Sequence, residues 1–329
     1  MSDLRIGILG AARIAPAAII RPARSVDGVT VTAVAARDRS RAEEFARRHD
    51  IPNVRASYAD LVADPDLDII YNPLPNGLHG QWTMAALEAG LHVLCEKPFT
   101  ANRAEAVEVA DVAQRTGKVV AEAFHYRYHP MAQRMRDIVA SGELGRILHV
   151  EAFNCFPLPR FEDIRYQLDL AGGAVMDAGC YAVHQVRLVG LGEPTVISAS
   201  AKLASPGVDR ALQAELVFPG GPSGRVVCSM WSRSLLRVSV RVFGTDGEMR
   251  ALNATAPQYP HRLVVRTRDS HRVEHFTRKP TYQFQLEAFR DAVVDGAPLL
   301  TGPDDAIANM AVIDAIYLAA GLEPRQPST

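Results

Sequence analysis

Apolar runs alternate with helix-period stretches through the first third of the chain. "LRIGILG" reads as a strand, and a helix follows from Ala17 to Arg24. "VTVTAVAA" is a second strand and "SRAEEFARRH" a second helix; "DIIYNPLP" is a strand ending in a Pro-bounded turn. "GQWTMAALEAG" is a helix with a glycine stop at Gly90. "HVLCEKP" is the next strand, "RAEAVEVADVAQRTG" the next helix and "KVVAEAF" a further strand. Strand–helix alternation at this pitch predicts an α/β fold with a parallel, doubly wound sheet.

The pattern changes after about Phe124. A helix over His129–Ser141 precedes long alternating strands: "RILHVEAFNC", "TVISASAKL", "ALQAELVF", "RVVCSMWS", "LRVSVRVFG" and "RLVVRTR". Strands in succession predict a second domain with a large, mostly antiparallel sheet. Helices at Tyr282–Asp295 and Asp304–Gly321 close the chain, and the tail "EPRQPST" reads as mobile. The predicted domains are 1–125 and 126–329.

Composition narrows the class. A length of 329 residues suits two domains, and 48% hydrophobic with 22% charged residues is ordinary for a globular protein. A net charge of −1 lacks the footprint of a nucleic-acid binder. No apolar run is long enough for a membrane span, and "MSDLRIGILG" starts a strand at once, unlike a signal peptide. Cys95, Cys155, Cys180 and Cys228 show no C-x-x-C spacing, so no metal site is expected and a reducing cytoplasm is.

Candidate chemistry begins at Gly10-Ala11-Ala12-Arg13-Ile14-Ala15, directly after a strand and opening a helix. The spacing is that of the dinucleotide fingerprint, with only its first glycine kept and with Ala12 and Ala15 at the other two places. Gly10, Ala12, Arg13 and Ile14 are therefore candidates to cradle a pyrophosphate. At the end of the second strand, Ala36 fills the place of the acid that holds an NAD ribose. Arg37, Ser40 and Arg41 follow, and guanidinium groups suit a 2′-phosphate, so NADP is expected. Asp38 keeps NAD open, since a one-residue shift would bring its carboxylate to the ribose.

Pro75, Asn76 and His79 sit in a polar loop after a parallel strand, where such folds bind ligands, and are candidates to line a nicotinamide. Asn76 is equally suited to cap the helix that follows. Glu96-Lys97-Pro98 ends another parallel strand. A half-buried lysine there can pass a proton, and the proline constrains the backbone that aims it. In "GGAVMDAGCYAVH", Asp177, Tyr181 and His184 fall at i, i+4 and i+7, one face of a helix that is otherwise apolar. Gly179 in that helix costs about 1 kcal/mol against alanine and is read as a place of close ligand approach.

In this order the fingerprint at Gly10, "PNGLH", "CEKPFT", "EAFHYRYHP" and "GGAVMDAGCYAVH" resemble the Gfo/Idh/MocA family of glucose–fructose oxidoreductase-like dehydrogenases over nearly the whole chain. The resemblance implies a Rossmann domain followed by an α/β domain whose large open sheet often joins subunits, giving a homodimer or homotetramer. It implies hydride transfer between a nicotinamide and a secondary alcohol of a carbohydrate-like substrate. It makes Lys97 the catalytic lysine and Asp177 its partner. Tyr181 stands where many members carry a histidine, as in the glucose–fructose oxidoreductase and dimeric dihydrodiol dehydrogenase branch. Lys97 or Tyr181 takes the proton. Arg127, Arg165 and His184 are further substrate candidates. The same resemblance leaves a dinucleotide sensor and a nicotinamide-dependent glycosidase as other uses of the fold.

Overall fold

The computed structural model describes residues 3–233 and 236–328. Its first sheet has six parallel strands: β1 Leu4–Leu9, β2 Val29–Ala35, β3 Asn53–Val54, β4 Ile69–Asn72, β5 His92–Cys95 and β6 Val120–Glu122. The order is β3-β2-β1-β4-β5-β6, so the topology reverses between β1 and β4. This is a Rossmann sheet, and the reversal opens a crevice at the strands' carboxyl ends. Ile6, Ile8, Ile69, Tyr71 and Leu94 fill the core because fully buried parallel strands are apolar on both faces.

The second sheet has eight strands: β7 Ile147–Cys155, β8 Thr195–Ser205, β9 Val208–Val217, β10 Ser223–Ser229, β11 Arg237–Gly244, β12 Gly247–Leu252, β13 Arg262–Thr267 and β14 His271–Glu274. Among the described residues β7 and β10 pair in parallel and the other neighbouring strands pair antiparallel. The sequence pattern misses β12 and β14. Among the described residues no helix is long and apolar enough to cross a membrane.

The chain divides into two compact units, 1–125 with 282–307 and 126–281 with 308–329. The segment 282–307, read from sequence as part of the second domain, thus returns to the first unit. There Leu286 and Phe289 join the apolar core, and Arg290 Nη1 donates to the Asp27 carbonyl at 2.9 Å. An amphipathic helix shows in sequence that it has an apolar face, not which core receives it.

Local signals set the helix ends. Asp38 caps Arg39–His49 and Asn102 caps Arg103–Thr116 through side-chain oxygens, and the latter helix stops at Gly117. One turn inside, Glu105 accepts a hydrogen bond from the Ala101 amide at 2.8 Å, yet burial pushes its carboxyl up to about 7. A raised carboxyl favours the fold while protonated. Its contribution is full below the ordinary glutamate value of 4.5 and is lost as pH rises through about 7. The difference amounts to about 3 kcal/mol. Thermal melts are therefore expected to fall between about pH 5 and pH 8, and Glu105→Gln to flatten that slope; an unchanged slope in the variant would reject the assignment.

Candidate functional site

The first unit builds a phosphate-like cradle at the end of β1. Gly10 has φ +89°, a left-handed backbone that a side chain would strain, and a Cβ there would lie 3.2 Å from Leu74 Cδ2. Its amide donates to the Ala35 carbonyl at 2.7 Å, which ties the turn to β2. Ala15 is fully buried in the core, so the third fingerprint position needs a small residue for packing. Ala12 is half-buried; Arg13 and Ile14 are exposed. The expected helix from Ala17 is a wide π turn, Pro16–Ile20, continued by Arg21–Ala23.

A cavity of about 450 Å³ opens beside this turn, lined by Ala11, Arg13, Arg21, Arg41, Arg48 and His49 among others. Burial foremost, then the charges of Arg48, Arg24 and Arg21, lower the His49 pKa. A tight turn beside several guanidinium groups fits a phosphate-bearing dinucleotide. The Asp38 carboxylate is turned into its helix, where it accepts from the Ser40 and Arg41 amides at 2.9 and 3.2 Å. Ser40, expected on a 2′-phosphate, donates its hydroxyl to Asp38 at 2.7 Å. Arg37 and Arg41 are exposed, and Arg37 lies beside the Tyr58 hydroxyl.

At the end of β5, three strands hold Lys97. The Tyr71 hydroxyl on β4 donates to Glu96 Oε1 at 2.7 Å, and the Lys97 amide donates to Glu96 Oε2 at 3.3 Å. Glu122, on β6, accepts from the Phe99 amide at 2.9 Å. The Lys97–Pro98 peptide is cis and the Lys97 side chain is half-buried. Pro75 and Asn76 are half-buried in the neighbouring loop, where Asn76 opens the 3₁₀ turn Asn76–Leu78 and no side chain caps the helix from His79.

His79 is enclosed by the protein. It is 1% exposed, and its Nδ1 and Nε2 each lie 2.7 Å from a carbonyl oxygen, of Pro98 and Leu74. Burial first, and the Lys97 charge as well, hold its pKa at about 4, so the ring is neutral. A neutral ring has one N–H, so it donates to one carbonyl and makes a close polar contact with the other. It is a strut between the β4 loop and the Lys97 turn. His125, just after β6, is also buried; burial and then Lys97 lower its pKa to about 3.

The second unit carries the other candidates. Asp177 lies in a π turn, Val175–Gly179, before the α-helix Cys180–Leu188. The wide turn shifts the helical register, so the expected Asp177–Tyr181–His184 stripe is not one continuous α-helical face. Asp177 accepts from Arg165 Nε at 2.9 Å, and its charge is the main cause of a raised Arg165 pKa. Arg165 also pairs with Asp163 at 3.0 Å. Tyr181 is 8% exposed, with its ring 6.1 Å from that of Tyr126. The Tyr126 hydroxyl lies 2.6 Å from His184 Nδ1. Arg127 is buried in the 3₁₀ turn His125–Tyr128. Gly179 lets β10 come close: a Cβ there would sit 3.0 Å from Cys228 Sγ.

Sequence reasoning missed Tyr71, Glu122, His125 and Tyr126. The signal for Glu122 was present, an acid inside the apolar run "KVVAEAF", which must find a partner when buried.

A family model described as an oxidoreductase family with an NAD-binding Rossmann fold matches residues 4–124, and one of the GFO/IDH/MocA C-terminal domain matches residues 132–250. D-xylose 1-dehydrogenase (NADP(+)) 2 of Haloferax volcanii is 39% identical over 321 residues, 96% of this chain and 97% of that protein. A trans-1,2-dihydrobenzene-1,2-diol dehydrogenase of Macaca fuscata fuscata is 37% identical over 240 residues, 72% of this chain and 70% of its own. The crystal structure of a 3-ketoreductase from Actinomadura kijaniata, in complex with NADP and TDP-benzene, has a TM-score of 0.89 at 26% identity, covering 97% of this chain and 98% of its own.

Proposed function

This chain belongs to the Gfo/Idh/MocA oxidoreductase family, and from that premise we propose that it is an NADP-dependent oxidoreductase moving a hydride between the nicotinamide and a secondary alcohol of a sugar, cyclic polyol or diol. The carrying observation is Lys97, half-buried at the carboxyl end of β5 in a turn gripped by Glu96, His79 and Glu122. The sugar and diol dehydrogenases among the relatives support the substrate class.

NADP⁺, when bound, supplies the hydride acceptor. Gly10, Ala12, Arg13 and Ile14 would hold its pyrophosphate; Arg37 and Arg41 would hold its 2′-phosphate, joined by Ser40 once its hydroxyl turns from Asp38; Pro75, Asn76 and Glu96 would border the nicotinamide. The substrate hydroxyl would give its proton to Lys97 as the neutral amine or to Tyr181 as the phenolate, and Asp177, held by Arg165, would orient the reacting group. Arg127 and Arg165 are the guanidinium groups suited to polyhydroxyl substrates. The testing experiment follows reduced-nicotinamide absorbance with NADP⁺ and NAD⁺ across aldoses, inositols and cyclic diols. Turnover with none of them, from protein that binds NADPH, would reject the reading.

The cofactor assignment has its own test. Arg41→Ala is expected to raise KM for NADP⁺ about tenfold, the low end for one exposed charge-assisted hydrogen bond, and to leave KM for NAD⁺ within about twofold. An equal rise for both would move the 2′-phosphate elsewhere.

The protein acts as a homodimer or homotetramer in the cytoplasm, a setting its buried cysteines suit. Light scattering should give at least twice the 35.8 kDa chain mass; a monomer mass at working concentration would refute the oligomer.

A further inference from the structure

We propose that Arg325 and Asp209 are positioning residues for Asp177: a buried ion pair made by the C-terminal tail sets the turn that presents the aspartate. The inference rests on the reading that Asp177 acts in the chemistry. The tail, read from sequence as mobile, is anchored. Arg325 is 2% exposed and Asp209 is fully buried, with Nη2 and Oδ1 2.8 Å apart.

The bonds of this pair converge on one turn. Arg325 Nε donates to the Gly172 carbonyl at 2.6 Å, and Asp209 Oδ2 accepts from the Val175 amide at 2.8 Å. The pair therefore grips both ends of the segment 172–175, and Val175 begins the π turn that carries Asp177. Tyr317 completes the anchor. Its hydroxyl donates to Asp209 Oδ1 at 3.1 Å, and the Arg325 guanidinium lies over its ring at 4.1 Å.

Gly173 shows how closely the anchor presses on the turn. Its φ is +144°, and a Cβ there would lie 2.2 Å from Asp209 Oδ1 and 2.7 Å from Arg325 Nη2. On the other side of the turn, the Gly173 amide donates to the Arg165 carbonyl at 2.8 Å, and the Asp177 amide donates to the Gly173 carbonyl at 3.1 Å. Arg165 in turn holds the Asp177 carboxylate at 2.9 Å. The turn that Arg325 and Asp209 fix thus sets both the backbone of Asp177 and the arginine that orients its side chain. Arg325 lies beyond the 132–250 stretch matched by the C-terminal family model.

The test compares Arg325→Met and Arg325→Lys with the full chain. Hydrogen–deuterium exchange over residues 172–180 is expected to speed at least tenfold in the methionine variant and less in the lysine variant, with the first sheet unchanged. On a substrate that the wild-type chain turns over and Lys97→Ala does not, kcat should fall about 10- to 100-fold, the scale of a 1 Å misplacement. KM for NADP⁺ should hold within about twofold, and lysine should restore part of kcat. Exchange that speeds only within 323–328, or kcat equal to wild type, would overturn the proposal. Loss of all turnover in the wild type would instead reject the functional reading, and exchange would still decide whether the tail fixes the turn. If the methionine variant does not fold, Arg325→Lys carries both measurements.

Discussion

Replacing Lys97 by alanine is expected to lower kcat by about 10²- to 10⁴-fold, the range that a positioned proton-transfer group contributes. KM for NADP⁺ should change little, because the pyrophosphate cradle at Gly10 and the arginines beyond β2 are separate from the lysine's amine. The fold should also survive. Lys97 is half-buried, and the turn beneath it is also held through its backbone, by the Lys97 amide on Glu96, the Pro98 carbonyl against His79 and the Phe99 amide on Glu122. A melt close to wild type with turnover lost would separate chemistry from folding. Full turnover in the variant with any substrate would remove Lys97 from the mechanism. Tyr181→Phe is the companion, since it deletes one hydroxyl from a ring that stays packed near Tyr126. The variant with the larger fall in kcat, and the loss of the corresponding limb of the pH profile, identifies the proton carrier.

The second large effect is on stability. Asp209→Ala should cost the second unit about 3–5 kcal/mol, because it leaves the Arg325 guanidinium buried without its counter-charge. For a unit of this size that is a fall in Tm of roughly 10 °C. The same change orphans the Val175 amide and the Tyr317 hydroxyl, both of which donate to that carboxylate. Burial pushes the Asp209 carboxyl up, and Arg325 is the chief opposing influence. Asp209→Ala combined with Arg325→Met should cost less than the sum of the two single changes, since the double variant buries no unpaired charge. Calorimetry on the four proteins gives the coupling; strict additivity would mean the two groups do not act as a pair.

These two predictions differ in how far the sequence alone leads to them. Lys97 is legible in "HVLCEKPFT": an apolar run ends in a lysine and a proline, and strand ends in alternating α/β chains face the ligand crevice. Gly10 and the arginines after β2 are legible for the same reason. Each is fixed by a short stretch whose periodicity and turn chemistry are local. The capping residues Asp38 and Asn102 belong to this class, since each bonds backbone amides two or three positions away.

The Asp209–Arg325 pair is of the other kind. Its members are 116 positions apart, and neither "GVDRAL" nor "EPRQPST" marks a buried charge. Likewise "HVLCEKPFT" cannot show that His79 braces the Lys97 turn, nor "YQFQLEAFRDAV" that its apolar face enters the first unit's core. The π turn at Val175–Gly179 is a third case, in which helical periodicity gives the helix but not the widened turn that carries Asp177. Hydrogen bonding within a turn and the period of a strand or helix are written into neighbouring residues, so the sequence by itself determined the elements, their alternation and the strand-end lysine. Which buried polar group finds which partner depends on the solvent-excluding contacts between distant segments, and only the tertiary structure decided that.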